Sequence, residues 1–233
     1  VFLLVEIVCK ANSTKSPVSS AIPELIFQIT FLAKVLNYAT AYQNYCRMLD
    51  ALGRHAEADA EIRRALELEP LSLSINWFYG IHLYVVRDYE ASMRQLKKTV
   101  ELDPDFVRAQ VSLADVLILN RMYAEAIEQM AKEQELERRP ANAAFIREKC
   151  AKVGWQQCWR IMTVENSPLE LAPYTLARLF AELGEKDKAF ANLEKAFQTR
   201  QAPFLRLKVD PRLDALRDDP RYKDLLKRMN LPE

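Results

Sequence analysis

The sequence predicts an all-α solenoid, a stack of antiparallel helix pairs, and three observations predict it. The chain nearly repeats itself: residues 65–70 read ALELEP, residues 99–104 read TVELDP, and Pro70 and Pro104 lie 34 residues apart. A fixed period of about 20–50 residues marks stacked units, none of which can bury its apolar face alone. Small residues recur at two fixed places in each period. Glycine is scarce, four in 233 residues, β-branched runs are short and no Asn-Gly dipeptide occurs, a composition that favours helix over sheet.

With Pro70 taken as position 32 of a 34-residue unit, residues 39–72, 73–106, 107–140 and 170–203 fall into register. Positions 4, 7, 8 and 11 hold Tyr42, Tyr45, Cys46 and Leu49 in the first unit and Asn76, Tyr79, Gly80 and Leu83 in the second. Gln110, Leu113, Ala114 and Leu117 take those positions in the third unit, and Pro173, Leu176, Ala177 and Phe180 in the fourth. Offsets of 3, 4 and 7 place each set on one face of a first helix. Positions 20, 24 and 27, such as Ala58, Ile62 and Ala65, line one face of a second helix. Positions 8 and 20 are small in every unit, which lets the two helices approach closely. Gly53 and Gly184 fall at position 15, where the first helix must stop, a place suited to a left-handed residue.

The stretches ALGRHAEADAEIRRALELEP, RDYEASMRQLKKTVELDP, RMYAEAIEQM and FAELGEKDKAFANLEKAF resemble tetratricopeptide repeats. The resemblance covers residues 39–140 and 170–203 and implies a right-handed α-α superhelix with a concave groove. Two departures stand out: Thr99 and Glu133 replace the usual alanine at position 27, and the usual aromatic at position 4 survives only as Tyr42. The segment LKVDPRLDALRDDPRYKDLLKRMNLP resembles the closing segment of repeat regions in large bacterial signalling proteins with winged-helix, serine/threonine kinase or nucleotide cyclase domains. Read from its residues alone, Asp210-Pro211 and Asp219-Pro220 each set an N-cap before an N1 proline, so 204–233 is expected to form helices that cap the stack.

Two segments stand outside the period. Residues 141–169 are expected to hold one long helix, with Phe145, Ile146, Cys150, Val153, Cys158, Trp159 and Met162 inward, either a degenerate unit or an insertion. Residues 1–38 carry only five of the 65 charged side chains and include the apolar stretches VFLLVEIVC and LIFQITFLAKVLN. Neither is long enough to span a bilayer comfortably, and the first lacks the basic lead of a signal peptide. The segment reads as the remnant of an upstream element or as a strip that packs against something.

Composition and motifs argue against catalysis. Formal charge is +1, and residues 200–233 mix nine basic with six acidic side chains, so no nucleic-acid or anionic-membrane footprint is expected. No Gly-rich phosphate loop, G-x-S-x-G or H-E-x-x-H occurs, and no cofactor is expected. Cys9, Cys46, Cys150 and Cys158 form no C-x-x-C pair. On one helix Cys150 and Cys158 would stand about 12 Å apart, too far to bridge. All four read as buried thiols of a reducing, cytoplasmic compartment. His55 and His82 have no ligand-type neighbours at metal spacing in the sequence, so no metal is expected.

What remains is recognition. The resemblance implies that positions 2, 5, 9, 12 and 13 of each first helix face the groove. The candidate peptide-binding residues are therefore Gln43, Arg47, Trp77, Ile81, Tyr84, Val85, Arg108, Val111, Asp115, Ile118, Tyr174 and Arg178. Thr40, Gln43, Asn44 and Arg47 match only in part the Lys/Asn set with which some relatives grip a terminal carboxylate. An apolar or amphipathic segment is the more natural ligand. Residues 25–37 or the helix at 145–162 could equally fill the groove and turn Trp77 and Tyr84 into core. The expected role is a protein-interaction scaffold. The alternatives are the regulatory arm of a larger signalling protein and an oligomerisation module, and the protein partner is not named by the sequence.

Overall fold

A computed structural model describes residues 37–164, 167–201 and 206–229. They form α1 (Ala39–Ala51), α2 (His55–Leu68), α3 (Leu73–Val85), α4 (Tyr89–Leu102), α5 (Val107–Leu119) and α6 (Tyr123–Leu136). The chain continues through α7 (Pro140–Cys150), α8 (Trp155–Thr163), α9 (Pro173–Glu182), α10 (Lys186–Gln198), a 3₁₀ turn (Pro211–Leu216) and α11 (Pro220–Arg228). Among the described residues there is no strand, and no helix is long and apolar enough to cross a membrane. Residues 1–36 lie outside the description, and with them most of the apolar N-terminal segment and of the stretch 25–37 expected as one cover for the groove.

The helices pack as consecutive antiparallel pairs, α1 on α2, α3 on α4, α5 on α6 and α9 on α10. The first helices α1, α3 and α5 also lie side by side, which makes the stack a solenoid. The small positions work as expected. A Cβ on Gly80 would meet the Leu96 side chain at 2.7 Å, so only glycine lets α4 come this close to α3. Ser92 uses the same approach to donate to the Gly80 carbonyl at 2.7 Å. The amide side chains that replace the aromatic at position 4 tie down the turn between units instead. Asn76 donates to the Pro70 carbonyl at 2.8 Å and Gln110 to the Pro104 carbonyl at 2.9 Å, and both side chains are fully buried.

Position 15 of each unit is left-handed whatever its side chain. Gly53 has φ +80° and Gly184 +77°, while Arg87 and Arg121 adopt φ 68° and 60°. Each first helix closes with the same pair of reversed bonds. In the first unit these are Arg54 N–H to Leu49 C=O at 2.8 Å and Gly53 N–H to Asp50 C=O at 2.9 Å. They satisfy carbonyls that the helix end leaves open, and the left-handed residue is the geometric requirement.

Residues 145–162 do not form one helix. The chain breaks after Cys150 and restarts at Trp155, with Gly154 as the extended N-cap of α8, so the segment folds as a short helix pair. The reversal brings the Cys150 and Cys158 Cα atoms to 4.8 Å, and the two sulfurs form a disulfide. The expectation of two separate thiols therefore fails, because it assumed a straight helix between them. Ile146, Cys150, Cys158, Trp159 and Met162 do face inward, joining the central core with Leu96, Leu117 and Leu179.

The closing segment carries its two predicted caps. Asp210 accepts from the Arg212 amide at 3.1 Å and Asp219 from the Arg221 amide at 3.0 Å. Leu213, Leu216, Tyr222, Leu225 and Leu226 cover the last pair, packing against Ala177, Phe180, Leu193 and Ala196.

Candidate functional site

The positions expected to face the groove divide into two sets. Gln43, Ile81, Tyr84, Val85, Asp115, Ile118, Tyr174 and Arg178 are all buried. Among the described residues, the middle of the expected groove is covered not by the segment 145–162 but by the stretch from Arg206 to Arg217. This stretch runs against α3 and α9 and sends two charged side chains inward.

Those side chains are held by a buried polar network, in which Arg178 Nε is left without a partner. Tyr84 donates to Asp210 Oδ1 at 2.5 Å and Tyr174 to Asp210 Oδ2 at 2.9 Å. Asp115 accepts from Arg178 and from Arg212, each at 2.6 Å. Arg212 also reaches Glu182 at 2.5 Å, and Glu182 accepts from the Trp159 indole N–H at 2.6 Å. Burial alone would raise the Asp115 carboxyl. Arg178 and Arg212 outweigh it and hold that carboxyl below its usual range. Burial, reinforced by Asp210, keeps both phenols protonated and therefore donating. A buried charge is tolerable only with partners of this quality. At the rim Arg87 grips Asp214 through two bonds, 2.5 and 2.9 Å.

The other set stays accessible. Trp77 and Val111 are half-buried, Arg47 is half-buried and Arg108 is exposed. Trp77 donates to Ser112 Oγ at 2.8 Å, packs edge-on against Phe106 and lies 4.4 Å from the Phe78 ring. Arg108 stands over Trp77 at 5.4 Å and Arg47 over Phe78 at 4.8 Å. Burial lowers the affinity of Arg47 for its proton, and the neighbouring charges of Arg206 and Arg108 add to the effect, so the three guanidinium groups share one field. Among the described residues none of the three forms a salt bridge, although Arg206 also acts at longer range on the Asp115 carboxyl.

Beside the network lies a cavity of about 300 Å³ lined by Met130, Glu133, Gln134, Arg139, Thr175 and Arg178, among others. Burial, with Glu137 and Asp115 adding to it, pushes the Glu133 carboxyl up to about 7. The residue that displaced the small side chain at position 27 therefore changes the charge of this cavity around neutral pH.

The histidines also end up elsewhere than the sequence suggests. His55 and His82 meet at one carboxylate: His55 Nδ1 lies 2.9 Å from Asp50 Oδ1, and His82 Nδ1 lies 3.1 Å from both Asp50 oxygens. Cys46 joins them, its Sγ 3.8 Å from Asp50 Oδ2. The only sequence signal is the i, i+4 spacing of Cys46 and Asp50. The other members come from α2 and α3 and meet only when the units stack.

Residues 39–70, the α1–α2 pair, match a family model. It is the tetratricopeptide repeat. The α3–α4, α5–α6 and α9–α10 pairs repeat the same arrangement at the same register, so the chain is an all-α solenoid of tetratricopeptide type. That repeat is an interaction scaffold in general. A comparison with the curated proteins finds no match.

Proposed function

We propose that the chain is a protein-interaction module whose open, N-terminal half of the groove takes an amphipathic peptide with acidic side chains. The observation that supports this reading is the pairing of an aromatic floor with a cationic rim. Trp77, Phe78 and Phe106 offer apolar contact area, and Arg47, Arg108 and Arg206 converge there without a salt bridge to any described residue. Aromatic and arginine side chains in a concave patch are the usual anchors of recognition. Like charges held together favour an anionic partner and speed its encounter. The C-terminal half has no such role in this reading, because its groove residues are occupied by Asp210 and Arg212.

The test is fluorescence anisotropy with labelled amphipathic peptides, acidic and lysine-substituted versions of each. Acidic peptides bind more tightly, salt weakens them, and charge reversal at Arg47 or Arg108 costs at least about tenfold in Kd. Equal binding of both peptide sets, or unchanged affinity in both reversal variants, refutes the reading.

A second reading rests on the closing segment, whose Asp-Pro caps and groove-filling role fit its similarity to the repeat regions of bacterial signalling proteins. In that case the acidic peptide belongs to an effector domain that the module regulates.

A further inference from the structure

The convergence of both histidines, a buried cysteine and a buried aspartate at the junction of the first two units serves no role in the groove. Cys46 and Asp50 stand one turn apart on α1 and so share a face. His82 reaches them from α3, and His55 from the start of α2. The donor atoms of Cys46, Asp50 and His82 all lie within 4.8 Å of one another. Tetrahedral coordination at about 2.3 Å for sulfur and about 2.0–2.2 Å for nitrogen and oxygen puts neighbouring ligand atoms about 3.3–3.7 Å apart. Two separations, 3.1 Å from His82 Nδ1 to the carboxylate and 3.8 Å from Sγ to it, lie just either side of that range, and the widest in the set, up to 4.8 Å, has to close as an ion enters.

The surroundings of His82 point the same way. Its side chain is 2% exposed and lies between two carboxylates, with Nδ1 toward Asp50 and Nε2 3.6 Å from Asp59 Oδ1. A neutral imidazole carries one N–H and must turn a lone pair on one of the two acids. A cation on Nδ1 removes the conflict, since Nε2 then carries its proton toward Asp59. A carboxylate behind a metal-bound histidine is the usual way the ring is oriented. Asp59 is itself fixed by Arg63 Nε at 2.7 Å. His55 sits at the more exposed edge, 36% accessible against 9% for Asp50, which is the side from which an ion would enter.

We propose that Cys46, Asp50 and His82 bind one zinc-class divalent cation, with His55 beside the fourth position and Asp59 orienting the His82 ring. Sulfur, imidazole and carboxylate together suit a borderline-soft ion rather than magnesium or calcium. The ion clamps α1 to α3 and so pins the first unit to the second, a structural role. Binding needs the thiolate, so the Cys46 proton leaves to solvent as the cation enters.

The experiment uses the full chain stripped with a chelator and titrated with Co(II). The expected result is one equivalent bound, with a near-ultraviolet thiolate-to-cobalt absorption and tetrahedral visible bands, both erased by added zinc. Cys46→Ser removes the near-ultraviolet band, and Asp59→Asn weakens binding by about 10–100-fold. A wild-type chain with no saturable band overturns the proposal. So does an undiminished band in Cys46→Ser, which assigns it to another cysteine. If Cys46→Ser folds poorly, thermal unfolding of the wild type with and without zinc decides: a zinc-dependent rise in Tm that Asp50→Asn abolishes supports the site, and no rise leaves only imidazole–carboxylate pairing.

Discussion

Asp210→Ala tests whether the closing segment truly holds the groove shut. The wild-type carboxylate is fully buried and accepts from two tyrosine hydroxyls and one backbone amide. Removing it strands two buried donors, each worth about 1–3 kcal/mol, and an N-cap worth about 0.5–2 kcal/mol. Relief of the buried charge offsets part of this, which leaves a net loss of about 3–5 kcal/mol. Urea unfolding followed by far-ultraviolet circular dichroism measures it. A double-mutant cycle separates the contact from general damage. Tyr84→Phe costs about 1 kcal/mol in the wild type but stabilises by about 1–3 kcal/mol in the Asp210→Ala background, where it removes a stranded donor. A loss below about 1 kcal/mol for Asp210→Ala refutes the reasoning, as does an equal cost of Tyr84→Phe in both backgrounds.

Further predictions concern other parts of the fold. Glu133 has its carboxyl raised from 4.5 to about 7 by burial, so the folded chain holds a proton there that the unfolded chain releases. That stability is full below about pH 4.5 and is lost as pH rises through about 7. Urea midpoints should therefore fall by an amount equivalent to about 3 kcal/mol over this window, and Glu133→Gln should flatten the slope. Arg121→Gly relieves a left-handed arginine and should stabilise by about 0.5–1 kcal/mol in thermal unfolding; a loss of stability tells against strain at that turn. Cys150 and Cys158 should resist alkylation in the denatured, unreduced chain while Cys46 reacts, and reduction of Cys150–Cys158 should cost about 2–3 kcal/mol by loop closure.

Patterns carried by single units were legible in the sequence. The period, the small contacts at Gly80 and Ala58 and the turns at Gly53 and Gly184 follow from spacing alone, because helix geometry converts offsets into faces. The caps at Asp210 and Asp219 were legible for the same reason, being local. What escaped depends on chain reversal or stacking. Cys150 and Cys158 look too far apart until Gly154 turns the chain. His55 and His82, 27 residues apart, meet at Asp50 only when the second unit settles on the first. The groove positions are assigned by register, yet register says nothing of Arg212, which arrives from beyond the last unit to neutralise Asp115.

Tyr84 and Asp210 are separated by 126 positions in the chain. In a simple repeat array each unit touches only its neighbours, so stability adds up along the stack and unfolding can begin at either end. A bond between the second unit and the closing segment turns that open row into a ring of dependencies. The middle units cannot fray without releasing the end, and the end cannot peel away without exposing their buried charges. Such a chain should unfold in one cooperative step. It should also fold more slowly than its local helical contacts suggest, since the last contact to form closes the longest loop.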